Sequence, residues 1–345
     1  MNFNEMPRAF EELDSVDFNL PLIFEVLNEE NLKPISFEIG GGKIICEDIS
    51  GNQFLMKSCG HTEKIIFTNV LPAIRQQNLS FRRLQFPELR NIISKKFQQN
   101  DVQKDQDFIF LKYYDGTRSN DKWNEISVLG YGGRELDVSM AKKIVDLIAD
   151  FSLIDVSLLN TFKLPTFDYA IWKKQNLPFI AKILIGRKII DQKHINKALA
   201  IFSSPNLFQH SKMILTNGDF YPRNLIELSD GKITVIDWEG RQDYKAETSV
   251  NGATQNLVDQ RNVLINYLEN HLAFFFIHMW GNYAFQRHLI KSAAKKFNLS
   301  SEDLQSAILI KSIEQALIWP DDLSRRQAEI FVNALEINFI KDLMR

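Results

Sequence analysis

Asp219, Asn224 and Asp237 are the side chains whose types and spacing say most about chemistry. Asn224 follows Asp219 by five positions, and Asp237 comes thirteen positions later, at the end of a short apolar run. A carboxylate at Asp219 can accept the proton of a substrate hydroxyl, as phosphoryl transfer requires. Oxygen atoms of Asn224 and Asp237 suit Mg²⁺, which needs few protein ligands because it keeps water and phosphate in its shell. We therefore predict a catalytic base at Asp219 and metal ligands at Asn224 and Asp237.

The chain between the two metal-ligand candidates has the composition of a hairpin. Ser229-Asp230-Gly231 forms the turn signal, and the β-branched run Ile233-Thr234-Val235-Ile236 leads into Asp237. A surface hairpin whose acids only solvate a turn is the structural alternative. A motif match stays a hypothesis until its structural context agrees.

These residues resemble the active-site motifs of the aminoglycoside phosphotransferase and choline kinase superfamily. In that family the loop usually contains His-Gly-Asp, then four residues, then Asn, and the later strand contains Ile-Asp-Trp/Phe-Glu. Here Asn217 stands where the family has His, whereas Asp237 and Trp238 match the strand. The resemblance implies an α+β, protein-kinase-like fold with a β-rich N-lobe and a mainly helical C-lobe. Because Asn can both donate and accept hydrogen bonds, we expect Asn217 to replace the structural role of the His.

The N-terminal third is predicted to carry the nucleotide-binding sheet. Gly40, Gly41 and Gly42 separate two predicted strands, and such a turn lets backbone amides approach phosphates; a plain hairpin turn is the alternative. The resemblance implies that Lys57 contacts the α- and β-phosphates, although an exposed strand lysine is the usual case. A short helix over residues 20–31 precedes the predicted strands, which cover residues 35–39, 43–47 and 53–57.

Two further segments complete the predicted nucleotide site. Glu63 begins a helix-like run and is the candidate ionic partner of Lys57; a solvated acid in the first helical turn is the alternative. Residues 108–116 are predicted as a buried strand that enters a turn, and they resemble the last N-lobe strand and hinge of the family. The resemblance implies that the Lys112 carbonyl and the Tyr114 amide bond the adenine edge.

The predicted lobes divide the chain near the hinge. We expect an N-lobe over residues 1–112, with an N-terminal helix, an antiparallel sheet and one helix. The C-lobe over residues 113–345 would contain the hinge, catalytic loop, metal-binding strand and substrate-side helices. Helices are predicted over residues 191–203, 257–295, 301–318 and 323–343, and the apolar run Leu272–Ile277 is too short to span a bilayer.

Composition excludes several classes of protein. The chain has 345 residues and a net charge of −2, so no basic field points to nucleic acid. Cys46 and Cys59 are the two cysteines, which argues against a disulfide framework and for a reducing compartment. No apolar signal-peptide region follows Met1. We therefore expect a cytoplasmic protein without a membrane or nucleic-acid partner, and leave its oligomeric state open.

The favoured interpretation is an ATP- and Mg²⁺-dependent kinase that phosphorylates a hydroxyl of a small molecule. Aminoglycosides, choline, homoserine and sugar-like compounds are the candidate substrates, and GTP is not excluded as the donor. A protein kinase is one alternative, but no Ala-Pro-Glu-like segment follows Asp237, and Asp237-Trp238-Glu239 lacks the Gly that follows the metal-binding Asp in that class. A catalytically weak, nucleotide-binding pseudokinase or sensor is the other. Asn217 favours it, whereas the presence of Asp219, Asn224 and Asp237 argues against it.

Overall fold

A computed structural model of the chain describes residues 20–38, 43–99, 102–114, 117–118, 138–238, 263–318 and 321–345. The chain forms two compact units. The first contains Met1–Pro72 and Phe86–Asp115, and the second contains Ala73–Gln85 and Gly116–Arg345. The lobe boundary expected after residue 112 stays a prediction.

The first unit is built on an antiparallel sheet with the strand order β1-β2-β3-β6-β5. Its strands are β1 (Lys33–Glu38), β2 (Lys43–Glu47), β3 (Gln53–Cys59), β5 (Leu89–Gln99) and β6 (Val102–Lys112). Its helical segments are α1 (Leu20–Glu29), α2 (His61–Ile65), a π-helical turn (Ile66–Val70) and the start of α3 (Leu71–Gln76).

Buried and partly exposed side chains alternate along the strands, and the buried ones form the core of this unit. In β2, Ile44 and Cys46 are buried while their neighbours are partly exposed, as expected for a sheet with one face toward the core. Val26 and Leu27 of α1 join the same hydrophobic cluster. The predicted helix and the three predicted strands are confirmed, with small shifts at their ends.

The second unit is mainly helical in its described part. Its helices are α4 (Val138–Leu153), α5 (Tyr169–Ile171), α6 (Leu177–Gly186), α7 (Gln192–Ile201), α8 (Leu268–His278), α9 (Tyr283–Phe297), α10 (Ser301–Ile318), α11 (Asp321–Ala334) and α12 (Ile337–Met344), with 3₁₀ turns at Val156–Phe162 and Pro222–Asn224 and a π-helical turn at Trp172–Asn176. One small sheet has the order β4 (Leu84–Gln85), β10 (Ile233–Val235), β9 (Leu225–Glu227), β7 (Thr117–Arg118), and another pairs β11 (Ile265–Tyr267) with β8 (Met213–Leu215). A β-rich unit followed by a helical one confirms the α+β fold class.

Two predicted helices are wrong as continuous elements. The segment predicted as one helix over residues 257–295 contains β11, α8 and α9, and its first six residues lie outside the described part. Gly281 has a φ of +99° between α8 and α9, a conformation that suits glycine and interrupts a helix. Residues 323–343 likewise belong to α11 and α12.

In the described part of the chain, none of the helices combines the length and hydropathy needed to cross a bilayer.

Buried Asp150 of α4 holds the segment that enters β4. Its carboxylate accepts hydrogen bonds from three successive backbone N–H groups, those of Arg82 at 3.1 Å, Arg83, and Leu84 at 2.8 Å. Because β4 pairs in parallel with β10, this contact supports the strand that leads to Asp237.

We predict that Asp150→Ala lowers the free energy of unfolding by about 3 kcal/mol, the scale of losing hydrogen bonds to a buried carboxylate. The matched control is Asp342→Ala, which removes an exposed pair with Arg345 at 3.3 Å and should cost less than about 1 kcal/mol. Chemical denaturation of both variants measures the difference. Equal losses would contradict an anchoring role for Asp150.

Candidate active site

The loop that carries Asp219 leaves a buried strand and turns sharply. Ile214 and Leu215 of β8 are buried, and β8 pairs with β11. The chain then turns at Gly218, whose φ of +80° lies in the left-handed region. Glycine adopts this conformation without the steric penalty of a Cβ atom. The turn therefore explains why Gly218 directly precedes the predicted base.

Asn224 lies against Asp219 and orients it. The Asn224 Nδ2 atom donates to the Asp219 carbonyl oxygen at 2.8 Å and to the Asp219 Oδ2 atom at 3.2 Å. Both bonds use the amide nitrogen, so the carbonyl oxygen of the Asn224 side chain is the atom with the chemistry of a metal ligand. Asn224 is buried, whereas Asp219 is partly exposed, as its predicted role as a base requires.

Asn217 joins the loop that contains Asp219 to the segment between β10 and Asp237. Its Nδ2 atom donates to the carbonyl oxygen of Ile236 at 2.8 Å and to that of Asp219 at 3.2 Å. The side chain is fully buried. Two carbonyl acceptors on one side determine which way the amide faces. The expectation that Asn217 holds the loop structurally agrees with these contacts.

Asp237 sits directly after β10 in an uncommon backbone conformation. Its φ is +56°, and its side chain is partly exposed. The backbone N–H of the preceding residue, Ile236, donates to the backbone carbonyl oxygen of Asn224 at 2.9 Å. The following residue, Trp238, is buried, and its Nε1 atom donates to the Val235 carbonyl oxygen at 2.7 Å. Left-handed non-glycine residues are uncommon, and such strain is concentrated at functional sites. Packing on both sides therefore holds Asp237 in a conformation that an isolated turn would not favour.

Aromatic residues beside Asp219 pack on α8. Phe220 is fully buried, and its ring centroid lies 5.9 Å from that of Phe275. Tyr221 meets His278 at 5.3 Å and Phe274 at 6.5 Å between ring centroids. These contacts were not predicted from the sequence, although the spacing of Phe274, Phe275 and His278 marks one face of a helix. One side of α8 thus supports the catalytic loop.

In the first unit, Lys57 and Glu63 form the ion pair that the sequence predicted. The Lys57 Nζ atom lies 3.0 Å from the Glu63 Oε1 atom, and the two side chains are 4% and 1% exposed. Removing one member of so buried a pair leaves an uncompensated charge. The pair therefore holds the Lys57 ammonium group at one place in the sheet, opposite Ile109 of β6.

The predicted hinge residues follow the end of β6. The Lys112 Nζ atom pairs with Glu88 Oε1 at 3.2 Å and lies 5.7 Å from the Tyr114 ring centroid. The Tyr114 hydroxyl accepts a hydrogen bond from the Glu88 backbone N–H at 3.0 Å. Their adenine contacts stay predictions, and Gly40, Gly41 and Gly42 lie outside the described residues.

Histidine and cysteine do not contribute a metal centre to the described residues. No group of three or more His, Cys, Asp or Glu side chains in that part of the chain is arranged to hold a metal ion. The predicted set of Asn224 and Asp237 is of another kind, because it relies on two protein oxygens and on phosphate and water for the other ligands.

Comparison with solved structures finds the same fold over nearly the whole chain. A thermostable mutant of aminoglycoside phosphotransferase APH(4)-Ia, in a ternary complex with ADP and hygromycin B, has a TM-score of 0.52 and 12% identity over 90% of this chain and 97% of its own. A macrolide 2'-phosphotransferase type I has a TM-score of 0.51 and 9% identity over 92% and 96% of the two chains. Plasmodium vivax ethanolamine kinase has a TM-score of 0.50 and 13% identity over 97% of this chain and 96% of its own. These similarities confirm the protein-kinase-like fold that the motifs implied.

Comparison of the sequence with protein-family models finds no match, and comparison with curated proteins finds none either. The fold and the arrangement of the site residues therefore carry the functional argument.

We predict that Asn217→Ala lowers the free energy of unfolding by about 0.5–1.5 kcal/mol, the net scale of a hydrogen bond, and that Asn217→His is tolerated. Asn196→Ala is the control, since Asn196 lies on the exposed part of α7 and accepts only a bond from Gln192 at 3.0 Å among the contacts described. Thermal melts and kinetics of the three variants measure the effects. If Asn217→Ala is normally stable and both Asn217 variants are inactive, Asn217 acts directly in function and the structural account is wrong.

Proposed function

We propose that the protein is an ATP- and Mg²⁺-dependent phosphotransferase that acts on a hydroxyl of a small molecule. One observation carries the proposal: hydrogen bonds of 2.8–3.2 Å that involve Asn217 and Asn224 join Asp219 to Ile236, the residue directly before Asp237. The fold shared with aminoglycoside and macrolide phosphotransferases and with an ethanolamine kinase supports the same class of reaction. Candidate acceptors are aminoglycosides, choline, homoserine and sugar-like compounds.

Asp219 would accept the proton of the acceptor hydroxyl. Its carboxylate is oriented by Asn224 Nδ2 at 3.2 Å, and its partial exposure lets the hydroxyl of a substrate approach. A general base must lie within hydrogen-bond reach of the proton that it takes. Because the base and the acceptor are held in one geometry, much of the rate enhancement would come from alignment.

The donor set fits Mg²⁺. Asn224 would bind through its side-chain carbonyl oxygen and Asp237 through its carboxylate, both of them hard oxygen ligands. When bound, Mg²⁺ neutralises charge on the β- and γ-phosphates. The protein contributes the placement of the two ligands. The backbone N–H of Ile236, the residue before Asp237, donates to the backbone carbonyl oxygen of Asn224 at 2.9 Å. This bond joins the backbone segments that carry the two ligands.

Lys57 would contact the α- and β-phosphates of the nucleotide. Its ion pair with Glu63 matches the requirement of kinases for a lysine held by a glutamate. Gly40, Gly41 and Gly42 would approach the phosphates, and the Lys112 carbonyl and Tyr114 amide would bind the adenine. GTP remains an alternative donor. A cytoplasmic location and the absence of a nucleic-acid partner stay predictions from the sequence.

We predict that Asp219→Asn reduces turnover by at least about a hundredfold, the scale of a lost general base, while nucleotide affinity changes little. Labelled ATP is offered with a panel of aminoglycosides, amino alcohols and sugars, and phosphorylated product is quantified for the wild type and the variant. Nucleotide titration of both proteins provides the control. Near-normal turnover of Asp219→Asn would remove Asp219 from the mechanism.

We predict that Asp237→Ala abolishes the Mg²⁺-dependent part of ATP binding, because the carboxylate is the charged protein ligand of the proposed metal site. The matched control is Asp230→Ala, whose carboxylate accepts only a turn hydrogen bond from Lys232 N–H at 3.0 Å among the contacts described. ATP titrations at several Mg²⁺ concentrations compare the variants. An unchanged Mg²⁺ dependence in Asp237→Ala would mean that Asp237 does not bind the metal.

A further inference from the structure

His271 of α8 contacts both ends of the catalytic loop. Its Nδ1 atom lies 3.2 Å from the Thr216 hydroxyl oxygen, on the residue that enters the loop. Its ring centroid lies 6.3 Å from that of Phe220, the residue that follows Asp219, with the ring planes at 82°. One side chain therefore touches the chain before and after Asn217-Gly218-Asp219.

Thr216 transmits this contact to the turn. The Gly218 N–H donates to the Thr216 hydroxyl oxygen at 3.3 Å, and the Thr216 N–H donates to the Leu264 carbonyl oxygen at 2.8 Å. A hydroxyl can donate one bond and accept two. Thr216 can thus hold the left-handed turn at Gly218 while it is itself held by His271.

The surroundings keep His271 uncharged. Burial lowers the pKa of His271 to about 3, the charge of Lys311 acts in the same direction, and the backbone of Ile214 opposes them. Lys311 is itself buried and lies 2.8 Å from the Glu314 Oε2 atom. A neutral imidazole has one N–H and one acceptor nitrogen. The His271 Nε2 atom is buried without a hydrogen-bond partner among the described residues, so the N–H belongs on Nδ1, where it donates to the Thr216 hydroxyl oxygen, and that oxygen also accepts from the Gly218 N–H.

We propose that Thr216 and His271 are positioning residues of the phosphotransferase, which together hold the turn at Gly218 and thereby the direction of the Asp219 carboxylate. The inference rests on the proposed function and adds two residues that motif spacing did not select. The role of His271 comes from β11, which pairs with β8 and brings the first turn of α8 beside the loop.

The test uses Thr216→Val, which removes the hydroxyl at similar volume, and Thr216→Ser, which keeps it. We expect Thr216→Val to lower kcat about tenfold with little change in the KM for ATP, since a displaced base affects the transition state more than nucleotide binding. Thr216→Ser should keep most of the activity. Equal kcat values for the wild type and Thr216→Val, or equal losses in the two variants, would overturn the proposal.

Ser306→Ala is the control. Ser306 lies on α10 in the second unit and is also fully buried, and its hydroxyl oxygen has no hydrogen-bond partner among the described residues. All assays are run well below the melting temperature of every variant, so the folded fractions are equal. We expect Ser306→Ala to keep wild-type kcat, and a loss equal to that of Thr216→Val would attribute the effect to the removal of buried hydroxyls in general.

A double-mutant cycle tests whether the two residues act as one unit. Thr216→Val, His271→Leu and the double variant are compared in kcat. If both residues act through the same hydrogen bond, the double variant should be no slower than the slower single variant. Multiplicative losses would show that His271 acts independently of Thr216.

Hydrogen exchange of the Gly218 amide separates this proposal from the proposed function. We expect faster exchange in Thr216→Val and His271→Leu but not in Thr216→Ser, whether or not any substrate is phosphorylated. Faster exchange without turnover by the wild type would contradict the phosphotransferase and leave the turn support in place. Turnover by the wild type with unchanged exchange in Thr216→Val would refute the positioning role alone.

Discussion

The hydrogen bond from the Asn217 side chain to the Ile236 carbonyl oxygen is the contact on which the candidate site depends. Asp219 and Asp237 belong to different backbone segments, and a site works only if such groups are held to a fraction of an ångström. The Asn217 amide, at 2.8 Å from one segment and 3.2 Å from the other, joins them. The bond from the Ile236 backbone N–H to the Asn224 backbone carbonyl oxygen is a second link between the two segments. Buried polar bonds of this kind specify one geometry because leaving any member unpaired is costly.

Two supports outside the motif hold these segments. Asp150 binds the backbone that enters β4, and β4 pairs with β10, the strand before Asp237. On the loop side, α8 packs against Phe220 and Tyr221. Each support connects a helix to a segment near an acid rather than to the acid itself, in one case through strand pairing and in the other through side-chain packing. The acids can therefore remain partly exposed while the backbone that carries them is fixed by the core.

The sequence predicted what depends on local spacing and missed what depends on distant packing. Asp219, Asn224 and Asp237 lie within a short stretch, and Lys57 precedes Glu63 by six positions, so pattern alone could relate them. Asp150 and Leu84 are 66 positions apart, and Thr216 and His271 are 55 apart, and no periodicity connects such pairs. The long pairing of β5 with β6 was not predicted from the sequence, for a different reason. Its far half is polar, as in Lys95↔Gln106 and Lys96↔Asp105, and lacks the apolar alternation that marks a strand.

The motif around Asp219 resembles one that usually has His at the position of Asn217, and the amide at that position has a consequence for the charge of the loop. An amide does not ionise, whereas an exposed imidazole changes charge near neutral pH. His271, one of the imidazoles beside the loop, is held neutral because burial lowers its pKa to about 3. Neither Asn217 nor His271 therefore gains or loses a proton between about pH 5 and 8. His278, whose ring centroid lies 5.3 Å from that of Tyr221, is a partly exposed imidazole on the same face of α8. A pH dependence of the loop has to come from groups other than Asn217 and His271, because these two supports keep the same charge over that range.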